Sequence, residues 1–178
     1  EMVEKNNHVV GARLQTQWAW DISWGSPHLD TFWKRLGEMD KVVQVNVQSE
    51  FAWELECMVK KYPGTRVVID HLGLERSKSI PGYLKLLDIG KYPNVYMKLS
   101  NFPSLSGQEP PYENLTSLIN EILEHFTPKR VVWGSCLQQG GLGSEHYNRL
   151  INEVLYFLKS LSIDEQKQVL VEAPRKLF

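Results

Sequence analysis

Short β-branched runs recur along the chain and alternate with amphipathic stretches. Val42-Val-Gln-Val-Asn-Val47, Arg66-Val-Val-Ile-Asp-His-Leu72, Asn94-Val-Tyr-Met-Lys-Leu99 and Arg130-Val-Val-Trp-Gly134 read as strands, and Val9-Val-Gly-Ala-Arg-Leu14 as a weaker one ahead of them. The apolar runs at 67–69 and 131–133 are nearly continuous. That pattern fits strands covered on both faces, as in parallel sheets. Between them, Leu115, Leu118, Ile119, Ile122, Leu123 and Phe126 keep the spacing of one apolar helix face. Tyr147, Leu150, Ile151, Val154, Leu155 and Leu158 repeat it. Shorter stripes run through Leu29, Phe32, Trp33 and Leu36 and through Phe51, Leu55, Met58 and Val59. Ser162-Ile-Asp-Glu165 is a capping-box pattern that predicts a last helix before Pro174.

Three junctions share a rhythm. Tyr62-Pro-Gly-Thr-Arg66, Tyr92-Pro-Asn94 and Thr127-Pro-Lys-Arg130 each put a proline just before a strand, where it stops the helix and sends the chain out extended. Successive βα units of this kind build a parallel sheet, because their crossovers share one hand. No linker or low-complexity segment interrupts them, so residues 1–178 read as a single domain. An open doubly wound sheet and a piece of a barrel both fit. Gly140-Gly-Leu-Gly143 matches neither dinucleotide-binding nor P-loop glycine patterns, which takes support from a nucleotide-binding fold.

Composition narrows the function classes. Lys and Arg total 20 against 21 Asp and Glu, a net charge of -1, so no basic excess points to nucleic acid. No apolar run approaches the roughly 20 residues of a membrane helix, and the first residues lack the apolar core of a signal peptide. Two cysteines, Cys57 and Cys136, make no disulfide framework and favour a reducing, cytoplasmic setting. Trp18, Trp20 and Trp24 crowd one stretch, as pocket lining or as packed core. The sequon Asn114-Leu-Thr116 matters only in a secreted protein.

In parallel α/β folds chemistry gathers at the carboxyl ends of strands. The polar residues there are Asn46 and Gln48, Asp70 and His71, Lys98, Ser100 and Asn101, and Ser135 and Cys136. His71 can shuttle a proton, hold a substrate oxygen or simply sit hydrogen-bonded in the mouth. Asp70 alternates with it and should point the other way, as a cap or ion pair. Lys98 is unusual inside a strand and suits an anionic substrate. Cys136 is a nucleophile only if its pKa is lowered, and no histidine is near it in sequence, although His71 can reach it across the sheet. His8, His28, His125 and His146 are scattered, His125 near a helix carboxyl end where its cation would suit the dipole. With no H-x-H, H-E-x-x-H or C-x-x-C spacing, no metal and no cofactor are expected.

Tyr62-Pro-Gly-Thr-Arg-Val-Val-Ile-Asp-His-Leu-Gly73, Tyr92-Pro-Asn-Val-Tyr-Met-Lys-Leu-Ser100 and Arg130-Val-Val-Trp-Gly-Ser135 resemble the later strands of the amidohydrolase-related TIM-barrel hydrolases, a group with lactonases and related decarboxylases. Ala173-Pro-Arg-Lys-Leu-Phe178 resembles their carboxyl-terminal signature, and Val9-Val-Gly-Ala-Arg-Leu14 their mid-barrel Gly-x-Arg strand. The resemblance implies an α/β fold of parallel βα units of a TIM (β/α)8-type barrel, incomplete, at about strands four to eight. A full barrel takes roughly 250 residues, so about three βα units are lacking, with the His-x-His of the first strand. Glu1 is not a methionine, so the chain reads as a fragment or a shortened relative.

The resemblance also assigns roles. His71 matches a family site residue, a metal ligand in some members and a substrate-orienting group in others. Cys136 stands where the family has the aspartate that activates water, with Leu137-Gln-Gln-Gly140 after it. Asn46 or Gln44 occupies the strand that carries a histidine in metal-dependent members. The expected activity is hydrolysis of a small oxygenated, carboxylated ester or lactone, with His71 and Cys136 as catalytic positions and Arg13, Lys98 and Asn101 holding the anionic groups. A thiol with a reference pKa of about 8.5 is a poor replacement for a carboxylate base. The alternative is a non-catalytic descendant that binds a ligand or a partner chain. Neither nucleic acid nor membrane is an expected partner. Five strands do not close a barrel, so the first and last should be edges, with Val131, Val132 and Trp133 an exposed row inviting self-association or a completing segment.

Overall fold

The computed structural model describes residues 6, 8–15, 24, 26–74, 81–136 and 144–178. Trp18, Trp20 and the Leu137–Gly143 stretch lie outside them. The strands are β1 (Gly11–Gln15), β2 (Val42–Asn46), β3 (Val67–Ile69), β4 (Val95–Leu99) and β5 (Val131–Trp133). All pairings are parallel, and the spatial order is β1-β2-β3-β4-β5. Each new strand is added beside the last, which is how consecutive barrel strands are laid down. A doubly wound sheet instead reverses its strand order at a switch point.

The helices that return the chain are α1 (Pro27–Glu38), α2 (Ala52–Lys61), α3 (Pro81–Asp88), α4 (Phe102–Ser106), α5 (Thr116–Phe126), α6 (Ser144–Leu158), α7 (Ile163–Lys167) and α8 (Ala173–Leu177). Ser26 caps α1 by accepting from Leu29 N, and Pro27 fills its first turn. The capping box at Ser162 and Glu165 forms as its spacing predicts. The helical path does not stop before Pro174, however. A π turn at Gln168–Glu172 links α7 to α8, and Pro174 falls in the first turn of α8, where a missing N–H costs least.

Period-two alternation splits each strand between two faces. Val43, Val45, Val67, Ile69, Val95, Met97, Leu99 and Val131 join the large cluster under the helices, with Trp24 and Trp33 packed in it at 6.4 Å. On the opposite face, Val42, Val68, Tyr96 and Val132 meet Ala173 and Leu177 of α8. The carboxyl-terminal helix thus plugs the inner face near the amino ends of the strands. Arg66 fixes it there by donating to the carbonyls of Lys176 (3.0 Å) and Leu177 (2.8 Å) and pairing with Asp40 (2.9 Å).

This plug overturns one expectation. β1 and β5 are the edges of the described sheet, but Val131 and Val132 are not an exposed row: they are 0% and 1% exposed, Val131 under the helices and Val132 under α8. Trp133 is half-buried and lies 6.1 Å from the Tyr147 ring. Among the described residues, no helix is long and apolar enough to cross a membrane.

Candidate active site

Two residues beyond the α8 plug, the same face turns polar. Register sets Arg13 beside Gln44, and alternation then brings Asp70, Lys98 and Ser100, and Gly134 and Cys136 to the carboxyl ends. They line a cavity of about 410 Å³ with Gln15, Asn46, His71, Leu74 and Asn101.

Asp70 is its centre and is fully buried. Oδ2 accepts from Arg13 Nε at 2.8 Å and Gln44 Nε2 at 2.7 Å, and Lys98 Nζ stands 3.0 Å from Oδ1. A buried carboxylate needs such partners, since an unpaired charge is expensive in a low-dielectric interior. Gly134 makes room for the lysine: a Cβ there would stand 3.0 Å from Lys98 Cδ. Among the described residues of the lining, one carboxylate faces two cations, an excess of one positive charge with His71 neutral.

The expectation that Asp70 turns away from His71 is corrected by the backbone. β3 ends at Ile69, and His71, Leu72, Gly73 and Leu74 take positive φ values of 54°, 56°, 68° and 57°. Alternation therefore holds through Asp70 and stops applying at His71, and Asp70 and His71 face the same cavity. Asn101 (φ 63°) and Cys136 (φ 47°) are left-handed too. Such residues cost about 1–2 kcal/mol each, and they concentrate where a loop must leave a strand end at one angle.

His71 Nδ1 lies 2.7 Å from Ser100 Oγ, and its Nε2 lies 3.4 Å from Arg13 Nη2. A guanidinium has only donors, so Nε2 accepts there and the ring proton sits on Nδ1, toward Ser100. Burial pushes the imidazole below its ordinary value; the charges of Arg13 and Lys98 add to this and Asp70 opposes it. Cys136 Sγ is 3.8 Å from the same Nδ1. Burial raises its thiol above the usual range, reinforced by Asp70 and resisted by Lys98, the Ser100 hydroxyl and the Asn101 backbone N–H. The thiol is therefore held in its protonated form, and little thiolate is present to act as a base.

The five residues given catalytic or binding roles from the sequence, Arg13, His71, Lys98, Asn101 and Cys136, line this one cavity, as do Asn46 and Ser100, whereas Gln48 and Ser135 do not. Gln15, Asp70 and Gln44 join them; the Asp70 contacts were hidden because they run between strands distant in sequence. Cys57 stands apart on the surface. Among the described residues, no three His, Cys, Asp or Glu side chains converge as a metal set. Both carboxylate oxygens of Asp70 already face cations, so the donors present do not fit a catalytic zinc, which takes about three protein ligands.

Comparison with known proteins agrees with this architecture. A family model described as Amidohydrolase matches residues 2–178. 4-Sulfomuconolactone hydrolase of Hydrogenophaga intermedia is 25% identical over 174 residues, covering 91% of this chain and 56% of that protein. The chain thus spans about half the length of that relative. Among solved structures, a probable 2-pyrone-4,6-dicarboxylic acid hydrolase of Acinetobacter baumannii with citric acid bound superposes with a TM-score of 0.79 at 23% identity, over 94% of this chain and 63% of that one. A Burkholderia multivorans amidohydrolase with bound zinc superposes with a TM-score of 0.78 at 18% identity, over 97% and 65%. The five-stranded sheet is therefore part of a TIM barrel.

Proposed function

The chain belongs to the amidohydrolase family, and from that premise we propose that its cavity binds a small carboxylated ester or lactone and hydrolyses it slowly. One observation carries this reading: a fully buried Asp70 anchors two cations, Arg13 and Lys98, leaving one positive charge in excess among the described residues of the mouth. Cations fixed in this way, Lys98 largely buried and Arg13 open to solvent, suit a carboxylate and meet charge developing on a carbonyl oxygen with little reorganisation. The relative that acts on a muconolactone, by its name, supports the same substrate class.

The slowness follows from Cys136. Its thiol is held protonated by burial, and the imidazole 3.8 Å away keeps its proton on the near nitrogen. Among the described residues of the mouth, the one carboxylate, Asp70, is taken up by Arg13, Gln44 and Lys98 and does not stand free to accept a proton from water. The test is acid release from a panel of carboxylated lactones, followed by titration. The wild type should turn over weakly, and Cys136→Asp should raise turnover by about a hundredfold, the scale of a positioned general base. Unchanged or lower turnover in that variant would contradict the role given to position 136.

The same observations favour a second reading, ligand binding without turnover. It predicts saturable binding of the lactone with no acid release from either protein.

A further inference from the structure

A second cavity, of about 750 Å³, adjoins the mouth on the β5 side and shares Asn101, Gly134 and Cys136 with it. Its walls come from α4, the segment after it and α6, and they include Phe102, Tyr112 and Trp133. Among them stands Glu153, which α6 buries within its own apolar stripe of Leu150, Val154 and Phe157. Glu153 is only 4% exposed. One carboxylate oxygen, Oε1, faces Tyr112 OH at 3.4 Å and Arg149 Nε at 3.6 Å, both long contacts. The other, Oε2, is buried and has no hydrogen-bond partner among the described residues.

An acceptor left in that state costs about 1–3 kcal/mol or more. A leucine at 153 would serve the stripe better. We propose that this cavity is a second binding site, for an uncharged ring bearing a hydroxyl, with the hydroxyl donating to Glu153 Oε2 and the ring lying against Trp133 and Tyr112. The charges around the cavity choose this class. The carboxylate repels an anion. Arg149, whose Nη2 lies 3.1 Å from His146 Nδ1, offsets the Glu153 charge locally and disfavours a cation at that carboxylate, while Glu109 adds a second carboxylate to the walls and strengthens the bar to anions. A neutral donor satisfies Oε2 and conflicts with neither. The site needs no hydrolysis in the neighbouring mouth, so it stands or falls apart from the lactone reading.

The experiment is titration of the protein with para-cresol and with its methyl ether, which keeps the ring and loses the donor. Binding is read from the backbone and indole N–H resonances. Para-cresol should shift Trp133 and Glu153 saturably at millimolar concentration, and the ether should bind about tenfold more weakly, one charge-assisted hydrogen bond's worth. Glu153→Gln, whose amide oxygen still accepts, should keep the preference, and Glu153→Leu should abolish it. Equal binding of phenol and ether, tighter binding of benzylammonium, a preference that survives Glu153→Leu, or no saturable shift at these residues would each overturn the proposal. If the leucine variant fails to fold, the phenol and ether pair on the wild type still decides.

Discussion

The inner face of the sheet has two ends built from the same strands. Val42, Val68, Tyr96 and Val132 lie at one end against α8; Gln44, Asp70, Lys98 and Gly134 follow them by two positions toward the other. One step of the strand period separates a dry apolar plug from a polar mouth. The difference shows where each kind of free energy goes. The plug gains from surface removed from water, at roughly 25 cal/mol per Å². The mouth spends part of that gain to hold a buried carboxylate, two cations and a run of left-handed residues in one arrangement. The apolar plug lies at the amino ends and the candidate site at the carboxyl ends, the side where complete barrels carry their chemistry.

If the division is real, the two ends fail differently. The largest effect should come from Lys98→Met. Asp70 keeps Arg13 and Gln44 but loses the cation at Oδ1, and breaking a buried pair costs about 3 kcal/mol, read as a lower denaturant midpoint. A loss under about 1 kcal/mol would mean that the pair is effectively solvated. Leu177→Ala at the plug should cost about 2 kcal/mol, the low end for a buried leucine because the terminal helix can settle inward. In the folded protein this variant should bind carboxylates as the wild type does, and altered binding would show that the two ends are coupled.

A smaller effect is the pH dependence owed to His71. Its folded pKa is depressed by burial, so below the ordinary value of about 6.5 the unfolded chain takes up a proton that the folded one refuses. Stability should be full above that value, fall as pH drops through it, and level off below the folded pKa. His71→Gln should flatten this part of the curve. A histidine contribution that grows on acidification would reverse the sign argued here.

Much of this organisation was legible in the residues. The β-branched runs at 42–47, 94–99 and 130–134 fall within a residue or so of the observed strands, because propensity and burial agree there. The run at 66–72 was read too long, since nothing local announces that His71 turns left-handed. Helix α3 escaped because Pro81-Gly82 looks like a breaker, although proline suits a first helical turn. At the site, Arg13, His71, Lys98, Asn101 and Cys136 stood out by chemistry at strand ends and by family resemblance. The partnership of Asp70 with Arg13, Gln44 and Lys98 joins strands far apart in sequence, so only register reveals it. Glu153 did leave a signal, an acid among the apolar positions of a regular helical stripe.

The central claim is that the mouth is an anion site built on the excess of Arg13 and Lys98 over Asp70. Calorimetric titration with a pyranone carboxylate and with its uncharged carboxamide, at low and at high salt, tests it most directly. The carboxylate should bind at least about tenfold more tightly, and the advantage should shrink, without vanishing, in high salt, because the cations are only partly exposed. Equal affinity for the two ligands, or a preference for the carboxamide, would contradict the account.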